Sequence, residues 1–431
     1  MSQQAGLSFE QAPPFSLPLR FFLTAPLFLL AAAVLIVLSP DALASRWTPQ
    51  ALALTHALTL GFLAMVMLGA LLQMLPVVAG APLPAARAVA WLTHVPLAFG
   101  TAALMAGFLG ADALVFHAGI TLLALAFTVF LLAAASGLVR AATHDTVTGI
   151  RFATACLALT VALGLALAMA RSGGWAIPET EATIAAHAAF GLLGWVFLLV
   201  VGVAYQVVPM FQITPPYPPR LARWLATALF ALLSLHAAAP LLPETVGAAV
   251  ALLAEIGLAA GILGFALATL HLQSQRRRKL PDLTLDFWRI GMGSLLACVL
   301  VWLAGQLWPG WRGSDPYPLL LGVLFIGGFA VSVVSGMLYK IVPFLAWFHL
   351  QAQLQARAGT IPNMKEMIPE RWMRIQFRLH LAACALLGGA TAWPPLFAIP
   401  GGIAAAFSAL LLWLNLLSAT RRYARHGGRL G

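Results

Sequence analysis

Histidine is the residue type through which this chain could do chemistry. His56, His117, His187 and His236 each stand a few residues inside one end of a long apolar run. An imidazole can bind haem iron axially, and two or three can hold copper. Polar side chains within a membrane are expensive and tend to be functional. The competing reading is four separate histidines, each bonded to a backbone carbonyl near the interface. Glu255 is the one carboxylate deep in an apolar run. It reads as a hydrogen-bonded structural group or as a proton relay toward the histidines, and without a partner it would stay protonated.

The elements that must position these residues are long and apolar. Of 431 residues, 61% are hydrophobic and 9% are charged, where a soluble chain has about a quarter charged. Apolar runs long enough to cross a bilayer recur from end to end. Twelve spans are expected, at about 18–38, 51–78, 88–110, 113–139, 150–171, 183–210, 221–242, 246–272, 285–308, 318–346, 374–392 and 395–418. The runs are too long and too uniformly apolar for a β-barrel. The fold class is therefore all-α and polytopic, one transmembrane domain over 1–431.

A motif recurs on this frame. Gly69, Gln73 and Pro76 return as Gly202, Gln206 and Pro209, and again as Gly336, Lys340 and Pro343, at offsets of 133 and 134 residues. Such a period signals repeated architecture. It divides the chain into three repeats of four helices, about 18–139, 150–272 and 285–418, with the motif on the second helix of each. Gly permits close helix approach, and Pro ends or kinks a helix. The motif reads as structural, with the Gln or Lys bonding freed carbonyls; Lys340 could instead reach an acidic group. Tyr205 and Tyr339 beside it read as packing residues.

Charge gives the orientation. Counting those at the helix ends, all but three of the 24 Lys and Arg fall in the N-terminal tail, the even-to-odd loops and the C-terminus; the exceptions are Arg46, Arg171 and Arg312. Arg276, Arg277, Arg278 and Lys279 form the densest cluster. This asymmetry predicts both termini in the cytoplasm of a bacterial inner membrane, and it accounts for the net charge of +11 without nucleic acid. Residues 1 to 17 read as a short cytoplasmic tail without a signal peptide. Residues 347–373, with Arg357, Lys365, Glu366, Glu370 and Arg371, read as the largest cytoplasmic connection. His56, His117, His187 and His236 then lie roughly 6–9 Å inside the outer boundary. His94, His271, His349 and His380 lie near inner ends, and His144 and His426 in basic loops. Cys156, Cys298 and Cys384 are core residues, and the absence of CxxCH argues against covalent haem.

His56, Gly61, Phe62, Gly69, Pro76 and Gly80 stand at spacings that resemble the second helix of the NnrS family, and the opening PLRFFLTAPLFLLAA resembles its first helix. More distantly, His56, Pro76 and Gly80-Ala81-Pro82 are similar to helix two of haem-copper oxidase subunit I. The resemblance implies a twelve-helix protein holding haem b and copper, linked to nitric oxide tolerance or respiratory redox chemistry. Its partners would be the lipid bilayer, haem and a respiratory electron donor. The implied cofactor ligands are His56 and His187, with His117 or His236 as further metal ligands. Two departures narrow this. Leu54-Thr55-His56-Ala57 stands where the NnrS helix begins His-x-His-Glu, so a second ligand is missing there. Span ten has no histidine in its outer half and span seven has only His236, which excludes a complete oxygen-reducing centre. The alternatives are a haem-free multi-pass transporter, since transporters also carry internal repeats, or an accessory membrane subunit.

Overall fold

The repeat period reappears in the backbone. The computed structural model describes residues 9–173, 176–177, 180–277, 280–354 and 361–430. Arg278, Lys279, Arg357 and the first eight residues of the tail lie outside the described residues. Twelve long helices cross the bundle. The first four are α1 Ser16–Leu38, α2 Pro49–Val78, α3 Ala86–Phe108 and α4 Ala113–Leu138; the next four are α5 Asp145–Arg171, α6 Thr180–Gln212, α7 Pro219–Leu241 and α8 Glu244–Ser274. The last four are α9 Leu283–Leu307, α10 Pro316–Leu354, α11 Glu370–Ala390 and α12 Pro394–Arg425. No strand occurs among the described residues. Eleven of the twelve are long and apolar enough to span a membrane. The twelfth, α11, starts with Glu370, Arg371, Arg374 and Arg378 in its first half.

Consecutive helices pack side by side, α4 packs on α5 and α8 on α9, and α1 returns against α12 to close the ring. Both chain ends meet at one face. Phe15 packs edge-on against Tyr423 at 5.3 Å, and Gln353 Nε2 donates to the Arg429 carbonyl at 3.2 Å. The second helix of each repeat forms the interior: 72% of the apolar window of α2 is buried, 50% of α6 and 67% of α10, against 22–44% in the other eight spans.

All three interior helices contain a π-helical segment: Ala57–Ala64 in α2, Phe190–Phe197 in α6 and Val323–Val331 in α10. Their starts are 133 residues apart. The reason lies in helix–helix contact. A side chain at Gly61 would collide with Phe28 of α1, and a Cβ at Gly69 would lie 2.6 Å from Phe21. In the second repeat Gly194 meets Cys156 at 2.6 Å and Gly202 meets the Gly149 backbone at 2.9 Å. In the third, Gly328 meets Ser294 and Gly336 meets Phe287 at 2.7 Å. On the first helix of each repeat the two contact points are seven residues apart (21/28, 149/156, 287/294). On the second helix they are eight apart (61/69, 194/202, 328/336). Two α-helical turns take about 7.2 residues. The π turn absorbs the eighth, so both glycines face the neighbouring helix. An aromatic follows the upper glycine each time: Phe62, Trp195 and Phe329, all buried.

The proline motif differs from expectation at its lower end. Helices α2 and α6 end within three residues of Pro76 and Pro209, but α10 runs on past Pro343 to Leu354. Proline removes one amide donor, and burial of Leu345, Ala346 and Leu350 holds the helix beyond it. The inner connection is therefore shorter than 347–373. Its described part packs back through Met367 and Ile368, both buried. A capping box between Asn363 and Glu366 shapes the turn before them.

Candidate functional site

Proline starts α2 after Thr48, whose hydroxyl caps the Ala51 amide at 3.0 Å. α6 starts at Thr180. His56 and His187 are each seven residues into their helices, roughly 10 Å below the start. They therefore stand at one height, and their ring centroids lie 6.4 Å apart with planes inclined by 20°.

The hydrogen bonds fix the chemistry of both rings. His56 Nδ1 donates to the Leu52 carbonyl at 2.8 Å, four residues back on its own helix. His187 Nδ1 donates to the Thr160 carbonyl of α5 at 2.9 Å. A carbonyl only accepts, so each Nδ1 carries the proton and each Nε2 of the neutral ring keeps its lone pair. Metal-ligating histidines are oriented by a carbonyl in this way, and a histidine that only bonds a backbone carbonyl has the same arrangement, as His117 does. The walls are close. Phe108 leans on His56 at 5.1 Å, and the Arg171 guanidinium lies 5.6 Å from the Phe108 ring. Gly164 forms the floor under His187, where a Cβ would lie 2.8 Å from the ring's Cε1.

The other outer histidines stand apart. His117 is exposed on α4 and donates to the Ala113 carbonyl at 2.6 Å. Phe116 and Phe108 stand between it and His56. His236 has its Nδ1 buried without a hydrogen-bond partner. Among the described residues no three His, Cys, Asp or Glu side chains gather as a metal cluster, so the group of four resolves into one pair.

Glu255 has partners that its position in the chain hid. Trp302 Nε1 donates to it at 3.1 Å and Gln306 Nε2 at 3.3 Å, both from α9, and Arg312 ion-pairs with it at 3.3 Å. Arg312 sits on a short helix, Pro309–Arg312, that folds back over the bundle. It also lines a cavity of about 410 Å³ with Arg46, Trp47 and Tyr317, which none of the histidines lines. Lys340 is also engaged, bonding Asp282 Oδ2 at 2.9 Å. Burial pushes the Asp282 carboxyl up, but Lys340 and the Thr284 amide outweigh it and hold the group below the usual carboxylate range.

The inner histidines are mostly structural partners. His94 pairs with the Thr24 hydroxyl at 2.9 Å and His380 with Ser332 at 2.7 Å, each against the repeat-equivalent phenyl ring, Phe21 or Phe287. His271 bonds the Gln275 side chain at 2.9 Å, His426 bonds the Arg422 carbonyl at 2.8 Å, and His349 stacks on Phe15. Tyr339 does more than pack. It donates to Gln376 at 3.3 Å and accepts from Asn415 at 2.9 Å in a buried network. Thr160, Gly164 and Phe108 are site residues that the sequence did not disclose. A backbone acceptor has no side-chain signature, and Gly164 is one glycine among many in apolar runs.

Fold and pair together define a multi-pass, all-helical membrane protein with two facing imidazoles near the face opposite its termini. The chain matches no protein-family model and none of the curated proteins compared with it.

Proposed function

We propose that this chain is a bacterial inner-membrane protein, with both termini in the cytoplasm, that holds haem b through His56 and His187 near its outer face. One observation carries the reading: two imidazoles at equal depth, 6.4 Å between centroids, each with Nδ1 engaged and Nε2 without a hydrogen-bond partner among the described residues. Rings this close could share one bound metal centre, and imidazole is a ligand of haem iron and of copper. The charge asymmetry supports the orientation, with only Arg46, Arg171 and Arg312 on the outer side.

The residues divide the work. His56 and His187 would hold the group through their ring nitrogens, Leu52 and Thr160 fix their tautomers, and Phe108 and Gly164 hold the rings in place. Bound haem would supply one-electron redox chemistry. That chemistry would suit electron exchange with a respiratory donor. The resemblance to the NnrS family supports a role in nitric oxide tolerance or respiratory redox chemistry. Phe108 and Gly164, packed directly on the rings, favour a second reading in which one copper ion takes the place of haem.

Reduced-minus-oxidised spectra of the purified protein, with pyridine haemochrome and copper analysis on the same sample, test this. The expected result is a b-type signal, or one copper per chain, lost in His56→Ala or His187→Ala. Protein from haem-replete, copper-replete cells that carries neither would overturn the proposal in favour of a cofactor-free transporter or accessory subunit.

A further inference from the structure

His56 and His187 are not repeat-equivalent. One period of 133 residues carries His56 to Ala189, and His187 back to Leu54. They nonetheless meet, and what brings them together is the extra residue in each π turn. His56 immediately precedes the turn Ala57–Ala64, and His187 lies three residues before the turn Phe190–Phe197. Below each turn the helix is locked by its lower glycine, Gly69 against Phe21 and Gly202 against Gly149. Above each turn sits the histidine. One residue more or less in between rotates everything above it by about 100° relative to the locked half.

Resting on the paired-imidazole reading, we infer that the inserted residues of the α2 and α6 π turns are the positioning elements that aim His56 and His187 at each other. A ring at the periphery of a helix moves roughly 8 Å on a rotation of about 100°. That exceeds the 6.4 Å between the two centroids, so a purely α-helical α2 separates the rings. The third repeat is the internal control. It keeps the π turn and both glycine contacts, but Leu320 and Gly322 stand where the histidines would be. The turn's packing role is thus common to all three repeats, and its aiming role belongs to two.

The test removes one residue and reads geometry without any cofactor. In full-length protein with Cys156, Cys298 and Cys384 changed to Ala, His56→Cys and His187→Cys are bridged by a short bifunctional thiosulfonate. Deleting Ala64, which reduces the Gly61–Gly69 spacing from eight positions to seven, should abolish the bridge, and adding one alanine back elsewhere between Gly61 and Gly69 should restore it. If the deletion does not yield monodisperse protein, an alanine inserted between His56 and Ala57 serves instead. It leaves both glycine contacts intact and should also abolish the bridge. A bridge that survives the deletion or the insertion overturns this inference alone. A starting chain that never bridges overturns the pairing of the two positions and this inference with it, whatever the haem spectra show.

Discussion

The first two repeats and the third share a scaffold and differ in what hangs on it. All three have the π turn, the two glycine contacts and the aromatic after the upper glycine. The first two carry a histidine above the turn. The third carries none there and concentrates its polar groups at the other end, in the Lys340–Asp282 pair and the Tyr339–Gln376–Asn415 network. The repeat is therefore a packing device, and a histidine stands above the turn in two copies of it. A membrane interior offers little hydrophobic drive between helices, so close glycine contacts carry the association, and they are what the period preserves.

The largest expected effect is on the shared scaffold. Gly202→Leu drives a side chain into the Gly149 backbone and should cost roughly 3 kcal/mol or prevent folding. Gly69→Leu and Gly336→Leu should behave alike. Thermal melts in detergent check this, and a repeat that tolerates the change would break the equivalence. Next is the third repeat's own device. Lys340→Met strands the Asp282 carboxylate and should cost about 2 kcal/mol, whereas Gln73→Met and Gln206→Met should stay within about 1 kcal/mol. The Asp282 carboxyl is held below its ordinary range. Its contribution is therefore full above about pH 4 and is lost as pH falls through the lower folded value. Lys340→Met should flatten that part of a stability–pH profile.

Smaller effects sharpen the histidine side. Gly164→Ala places a methyl 2.8 Å from the His187 ring. It should lower stability by about 1–2 kcal/mol and displace the imidazole, weakening whatever the pair binds more than it weakens the fold. Holo-protein yield set against melting temperature separates the two. Smallest is His117→Ala, at an exposed position. It should change stability by under about 0.5 kcal/mol and leave any bound cofactor unaltered. A large loss of cofactor in that variant would return His117 to the site.

Much of the architecture was legible because apolar length and the 133-residue period are written in side-chain types. Helix limits fell close to the expected spans except at α10, where burial beyond Pro343 outlasted the proline, and at α12, which runs on past 418 to Arg425. The equal depth of His56 and His187 was legible for the same reason. The π turns were not, since the extra residue shows only as eight positions on one helix against seven on its neighbour. The Thr160 carbonyl was invisible because any residue supplies one. Arg312, 57 positions from Glu255, reaches it only because α8 and α9 pack together and the short helix folds back. Glu255, which read as a hydrogen-bonded structural group or a proton relay, is hydrogen-bonded to Trp302 and ion-paired with Arg312.

If two imidazoles jointly hold one group, both must be present for it to stay bound. The most direct measurement is a double-mutant comparison of cofactor content, with His56→Ala, His187→Ala and the double variant purified side by side. Groups acting as a unit are non-additive. Each single variant should lose the cofactor as completely as the double. A variant that keeps the wild-type cofactor content with either histidine gone would contradict the claim.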